Sequence, residues 1–337
     1  MNIVSMDVGK YKTYGVVEKD GKQTKERYFP TTKEGIASFL EGVQETTVVL
    51  EASSTVDRVA SFIEKDGIEL RVANPLKLRM LPLSMKKTDK NDAHTILDLY
   101  KKTYLPESYF PPKEIRESRN LCRSRSFLVR QRTALKNKIR DLAYRLGIDF
   151  RSFNKANIEM LKNVNTISAT LCRQLESLSM AVSEADAQIH LEFEKDHNAG
   201  LINTIIGIGE NSALAISSEI GDVSRFLNED GLFAYAGLSP RLFQSGNKEW
   251  KGHISNGNSF LKWVLIECAI VHLKFAHSSL VEDYHRIAFR CGKKKARIAL
   301  ARRMLRAIYY MLKRDQDFDS YERERRCVVR KHAALQR

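Results

Sequence analysis

Four acidic residues in the first third of the 337-residue chain have the types and spacing to do chemistry: Asp7, Glu51, Asp89 and Asp92. Asp7 interrupts the apolar run Val4-Ser-Met-Asp-Val-Gly9, and Glu51 closes Thr47-Val-Val-Leu-Glu51. Asp89 and Asp92 stand in Lys87-Thr-Asp-Lys-Asn-Asp-Ala93. A carboxylate buried at the end of an apolar strand is costly unless something pairs with it. Carboxylates converging on one point repel each other unless a hard cation binds them. Such a set is the donor chemistry of a phosphoryl-transfer site using Mg2+, with Mn2+ able to substitute. Each acid also has a plainer reading. Asp89 fits a helix cap, Asp92 a first-turn acid favoured by the helix dipole, and Glu51 a solvent-facing strand end.

The elements that must position these acids follow from hydrophobic period. Strands are predicted at 2–8, 13–18, 23–29, 46–50 and 69–73. Lys19-Asp-Gly-Lys22 has hairpin-turn chemistry. The third strand is more polar and expected to be partly exposed. Thr31-Thr-Lys-Glu34 reads as a capping box before a helix through Ile36, Phe39 and Leu40. A second helix, 56–65, ends at Asp66-Gly67. The order β-β-β-α-β-α-β matches a ribonuclease-H-like sheet, in which the first and fourth strands are neighbours. Asp7 and Glu51 then face one point. A helix over 89–101 carries Asp89 and Asp92 on one face, able to close over the strand ends.

Beyond a proline-rich loop (Leu105-Pro, Pro111-Pro112) a long helix is expected over 114–146. Leu128, Leu135, Ile139, Leu142 and Leu146 form a heptad-like seam. Further helices are read over 155–196, with Leu171, Leu175 and Leu178 on one face. Either an antiparallel helical hairpin or a dimerising coiled coil fits. The fold class is therefore α+β multidomain: a ribonuclease-H-like (RuvC-like) mixed sheet over 1–105, a basic helical or coiled-coil region over 106–200, and a mostly helical domain over 201–320. A charged tail over 321–337 is expected to order only on nucleic acid, if at all.

Composition narrows the partners. The formal net charge is +15 and hydrophobic residues make up 43% of the chain, enough for real cores. Residues 113–151 carry 12 basic and 4 acidic side chains, and residues 286–337 carry 17 and 5. Charge gathered in this way suits a phosphate backbone first and a membrane surface second. No apolar run reaches membrane-spanning length, and an acid at position 7 comes too soon for a secretory signal. Five scattered cysteines without a C-x-x-C pair read as free thiols in a reducing cytoplasm.

Two other stretches carry chemical options. Thr204-Ile-Ile-Gly-Ile-Gly-Glu210 resembles the turn of helix-hairpin-helix modules, whose glycines let backbone amides approach a phosphate. An ordinary tight turn between helices is the competing reading. Phe233-Ala-Tyr-Ala-Gly-Leu-Ser-Pro-Arg-Leu-Phe-Gln-Ser-Gly-Asn247 passes from small residues to a loop holding Arg241, Ser245 and Gly246. Ser245 there is an unhindered hydroxyl, either a nucleophile or a simple turn serine. Residues 251–262 read as a basic, glycine-broken loop before an apolar helix. There is no G-x-S-x-G elbow, Walker A loop, G-x-G-x-x-G, H-E-x-x-H or zinc-finger spacing. His94, His253, His272 and His285 have no ligand spacing and read as surface or packing residues.

Taken together the motifs resemble the DEDD transposases and site-specific invertases of bacterial insertion sequences, a group that includes the Piv and MooV recombinases and the bridge-RNA-guided recombinases. In the N-terminal half the resemblance rests on Met6-Asp-Val-Gly-Lys10, Leu50-Glu-Ala-Ser-Ser-Thr55, Val72-Ala-Asn-Pro75 and Lys87-Thr-Asp-Lys-Asn-Asp-Ala93. In the C-terminal half it rests on Ile206-Gly-Ile-Gly209, Phe233-Ala-Tyr-Ala-Gly-Leu-Ser-Pro-Arg241, Gln244-Ser-Gly246 and Gly257-Asn-Ser-Phe-Leu-Lys262. It implies that Asp7, Glu51, Asp89 and Asp92 are metal ligands of a RuvC-like domain and that Ser245 is the nucleophile. It also implies a covalent phosphoserine bond to DNA, strand exchange through a Holliday-junction-like intermediate, and a composite site formed when both domains meet. Arg241 is then a candidate to stabilise phosphate charge. The chain departs from the family in Leu50-Glu-Ala-Ser-Ser-Thr55, where Glu-Ala-Thr-Gly is more usual, and in a shorter segment before Gly257.

The partners so implied are donor and target double-stranded DNA, a structured guide RNA in the manner of the bridge-RNA relatives, and further copies of the chain. The location implied is the bacterial cytoplasm at the nucleoid. Two other functions compete. A RuvC-like, metal-dependent, structure-specific endonuclease needs only the acids and forms no covalent intermediate. A nucleic-acid-binding scaffold with a degenerate site binds in a salt-sensitive way and breaks no strand.

Overall fold

The computed structural model describes residues 2–43, 45–63, 68–81, 88–245, 248–254 and 257–335. The expected helix stop at Asp66-Gly67 and the loop residue Gly246 lie outside them. The chain divides into two compact units, Met1–Pro111 and Pro112–Arg337.

The first unit is a ribonuclease-H-like sheet. Its elements are β1 (Asn2–Val8), β2 (Lys12–Lys19), β3 (Lys22–Pro30), α1 (Lys33–Leu40), β4 (Thr46–Glu51), α2 (Val56–Ile63), β5 (Ile68–Ala73), α3 (Pro75–Leu78), α4 (Asp89–Lys101) and β6 (Glu107–Ser108). The six-stranded order is β3-β2-β1-β4-β5-β6. β1, β2 and β3 form an antiparallel meander, β4 and β5 run parallel to β1, and β6 returns antiparallel on β5. The two-residue strand β6 is an addition to the sequence reading, too short to leave a period.

Strand alternation gives the sheet two cores. Val4, Met6, Val48 and Leu50 face one side, where α1 and α2 supply Ile36, Phe39, Val59 and Ile63. Ile3, Tyr14, Val16 and Val49 face the other, covered by Ala93, Ile96 and Leu97 of α4. Ser5 donates to the Ala93 carbonyl at 2.7 Å, tying α4 to the middle of β1. The helix after β3 is capped one residue later than the capping box predicts. Thr32 accepts from the Gly35 amide at 3.1 Å. Thr31 instead lies buried, bonded to Thr13 at 2.8 Å and donating to the Gly9 carbonyl at 3.0 Å. Closing the turn after β1 outcompetes capping for that hydroxyl.

The second unit is mostly helical. It comprises α5 (Lys113–Arg145), α6 (Lys155–Lys162), α7 (Thr166–Phe193), α8 (His197–Asn203), α9 (Glu210–Ile220), α10 (Glu229–Tyr235), β7 (Pro240–Ser245), β8 (Lys248–Ile254), α11 (Ser259–Phe275), α12 (Ser279–Cys291), α13 (Lys293–Arg314) and α14 (Phe318–Leu335). α5 and α7 pack as an antiparallel hairpin. Ile139 and Ala143, late in α5, meet Cys172 and Leu175, early in α7, and Arg125 pairs with Asp186 at 2.8 Å toward the other end. The heptad-like seam is thus only partly a core. Ile139 is buried, but Leu146 is 40% exposed.

The segment after Asp319, read as a charged tail, lies within α14. Tyr321 and Glu322 are buried, and Arg325 pairs with the buried Asp283 of α12 at 2.5 Å. Its charges are partly structural, which composition does not reveal. The same holds along α13, where Arg302, Arg303 and Arg306 pair with Asp230, Asp283 and Glu229. Among the described residues no single helix is long and apolar enough to cross a membrane.

Candidate active site

In the sheet unit the four acids come from three elements that share one face. The β1–β4 register ends at Met6↔Leu50. Asp7 and Glu51 are each one residue further, at the C-terminal ends of adjacent parallel strands. Met6 and Leu50 belong to the α1/α2 core, so alternation turns Asp7 and Glu51 to the α4 face. Both are half-buried.

α4 begins at Asp89. Its cap is Thr88, whose side chain accepts from the Asn91 amide at 3.2 Å. The plainer reading of Asp89 as the cap is thereby removed. Asp89 and Asp92 are both in the first turn, Asp89 exposed and Asp92 half-buried.

A row of side chains across the sheet meets this corner. Asp7 is opposite Tyr14 on β2, and Tyr14 is opposite Tyr28 on β3. The two rings stand edge to face at 4.8 Å. The Tyr28 phenol is pushed above its ordinary range, first by desolvation and then by the charge of Asp89, to which it donates, and of Asp7. Among the described residues, no three side chains of His, Cys, Asp and Glu stand close enough together to hold a metal ion. The donors are hard oxygen ligands on one face, as a divalent cation requires, but they are not drawn to one point.

Sequence reasoning missed the network that holds α4 in place. Glu26 of β3 accepts from Lys90 at 2.6 Å and from Tyr14 at 2.7 Å, and meets His94 Nε2 at 2.9 Å. Lys90, then Tyr14 and His94, hold its carboxyl down at about 2. His94, read as a surface or packing residue, is thus part of the clamp beside Asp89 and Asp92. The available signal was alternation: Glu26 and Tyr28 share the face of β3 that meets Tyr14.

In the helical unit, Arg241 and Ser245 lie on β7, not in a loop. β7 and β8 form an antiparallel hairpin, with Ser245 paired to Lys248 at its tip. The expected loop over 251–262 is correspondingly shorter, because β8 runs to Ile254 and α11 starts at Ser259. The Gly-Ile-Gly segment is the turn between α8 and α9. Gly207 adopts φ +95°, and a Cβ there would lie 2.6 Å from the His272 amide nitrogen of α11. Close packing on α11 accounts for that glycine. His272 is buried and meets the Ile206 carbonyl at 2.6 Å and the Ser278 hydroxyl at 2.7 Å; burial pushes its pKa down. All five cysteines are free.

The sheet unit thus belongs to the ribonuclease-H-like class, with acids gathered at the C-terminal ends of its central strands. Residues 4–146 match the IS110-type DEDD transposase domain, and residues 199–286 match the transposase IS116/IS110/IS902 family. The chain is 25% identical over 287 residues to the transposase for insertion sequence element IS1111A of Coxiella burnetii, covering 80% of this chain and 79% of that one. It is 26% identical to a probable family 20 transposase of Pseudomonas aeruginosa, over 69% and 73% of the two chains. It is 25% identical to the pilin gene-inverting protein of Moraxella bovis, over 81% of each. The two domain matches together span most of the chain, which belongs to the IS110/IS116 family of DEDD transposases.

Proposed function

We propose that the chain is the recombinase of a mobile element, cutting and exchanging DNA strands through a covalent bond between Ser245 and a DNA phosphate. Asp7 and Glu51 end adjacent parallel strands on the side covered by α4, whose first turn carries Asp89 and Asp92, and this arrangement supports the reading. Asp7, Glu51, Asp89 and Asp92 would hold Mg2+. A divalent cation bound there supplies Lewis acidity and offsets charge on the phosphate.

In this reading Ser245 Oγ attacks phosphorus and the bond to the departing DNA hydroxyl breaks. The serine proton passes to the departing oxygen, and Arg241 steadies the phosphate charge. Attack on the phosphoserine by another strand's hydroxyl reverses the step and restores a phosphodiester, so no ATP is needed. The partners are donor and target duplexes, and the recombinase works as a homo-oligomer. Arg130, Lys138 and Arg140 of α5, with Lys293, Lys294 and Lys295 of α13, are exposed basic residues suited to a phosphate backbone.

The test is Ser245→Ala on element-end DNA. Covalent protein–DNA adducts, seen on denaturing gels with the unaltered chain, should vanish together with recombination. If branched DNA is still cut with Mg2+ and the unaltered chain never yields an adduct, the RuvC-like endonuclease reading replaces this one. A structured guide RNA is the further partner in this reading. Sequencing of copurifying RNA should return one discrete element-encoded species, and a random mixture would remove it.

A further inference from the structure

Both ends of the β7–β8 hairpin are tied to a single buried residue, one through its main-chain carbonyl and the other through its carboxylate. Glu219, near the C-terminus of α9, has no solvent exposure. Its Oε1 accepts from Arg123 Nε at 2.6 Å, and its Oε2 accepts from Arg123 Nη2 at 3.0 Å. Oε2 also accepts from the Asn258 amide at 2.6 Å. Its backbone carbonyl accepts from Arg119 at 2.9 Å and from the Tyr235 hydroxyl at 3.1 Å. Tyr235 ends α10, just before β7. Asn258 follows β8 and caps α11, its Oδ1 accepting from the Leu261 amide at 3.0 Å.

The two flanks also touch directly. The Asn258 amide donates to the Tyr235 carbonyl at 2.7 Å. A Cβ on Gly257 would lie 2.3 Å from the Gly237 nitrogen. The polypeptide entering the hairpin and the polypeptide leaving it are thus held against each other, and Glu219 bonds to both. A buried carboxylate with this many donors is a rigid point, since losing any donor leaves charge uncompensated.

We infer that Glu219 is a positioning residue, which with Arg123 and Asn258 fixes the base of the hairpin and so the placement of Ser245. Its bearing on chemistry rests on the serine reading above. Arg119 and Arg123 are among the basic residues of α5 that composition assigns to nucleic acid. Here they are engaged by Ser218 and Glu219 instead.

The experiment uses the full chain with Glu219→Gln and, as the harsher change at the partner, Asn258→Asp. The second keeps the Oδ1 that caps α11 and replaces the amide donor with an acceptor facing Glu219. Hydrogen exchange should quicken roughly 10- to 100-fold at amides of 241–245 and 248–254, with α13 unchanged, since each variant removes a hydrogen bond to a charged group. Adduct formation should slow with DNA affinity unchanged. Unchanged hairpin exchange in both variants overturns the inference, as does equal acceleration throughout the unit. If the unaltered chain forms no adduct, the serine reading fails while the exchange result still judges the anchor.

Discussion

Asp7 sits within a six-stranded sheet that has a core on each face. Ser245 ends a strand with a single neighbour in a two-stranded hairpin. The sheet unit fixes its acids through main-chain register: once Val4, Met6, Val48 and Leu50 are buried, Asp7 and Glu51 have no choice of side. The hairpin pairs two strands only. Its geometry is set at its base, by Glu219, Tyr235, Gly257 and Asn258. Rigid placement suits groups that must share one cation, since a small displacement of a ligand weakens all the contacts. In the proposed reaction, a hydroxyl that attacks and is later displaced suits a segment held at one end.

The contrast is broken most directly at Asp7. Asp7→Asn leaves the strand and both cores intact and removes one charge from a repelling set. The sheet unit should unfold at an unchanged or slightly higher temperature in calorimetry. Strand cleavage should fall on the order of 10^2- to 10^3-fold, the usual cost of losing one preorganised electrostatic group at a reacting phosphate. A variant that cleaves DNA normally, or whose sheet melts early, would place Asp7 among structural rather than chemical residues.

The same difference explains what could be read from the amino-acid sequence. Strand periods and the order β-β-β-α-β-α-β identified the sheet, and the first two of its acids followed from register. The helix over 89–101 was read from the sequence as well, although its cap is Thr88 and not Asp89. The hairpin escaped because Gly246, Asn247 and Gly252 break up the apolar residues of 240–254, so no strand period could be read from the sequence. The β6 strand escaped because two residues carry no period. The helix α14 escaped because its inward contacts include Glu322 and Arg325, polar groups that pair with α12. Tyr28 and Glu26 lay on a strand read as polar and partly exposed. Their significance depends on β3 standing beside β2, which single residues do not show. Ser245 was singled out by resemblance, since composition favours a turn serine there.

The smallest effect, and the finest test of how the sheet unit holds its acids, is at Glu26. Lys90 chiefly, with Tyr14 and His94, holds this carboxyl at about 2 against an ordinary 4.5. A depressed carboxyl stabilises the fold above its unfolded value, and that stabilisation is lost as pH falls through the folded value. The clamp on α4 should therefore be fully in force above about pH 4.5 and be lost as pH falls through about 2. Carbon NMR of the Glu26 carboxyl should titrate with a midpoint near 2, and amides in the first two turns of α4 should exchange faster as that limit is approached. Glu26→Gln should bring part of this loosening to neutral pH, with β1 amides unaffected. A midpoint near 4.5 would mean that Glu26 is an ordinary surface acid. The first turn of α4 would then be held by Thr88, Ser5 and the apolar contacts alone.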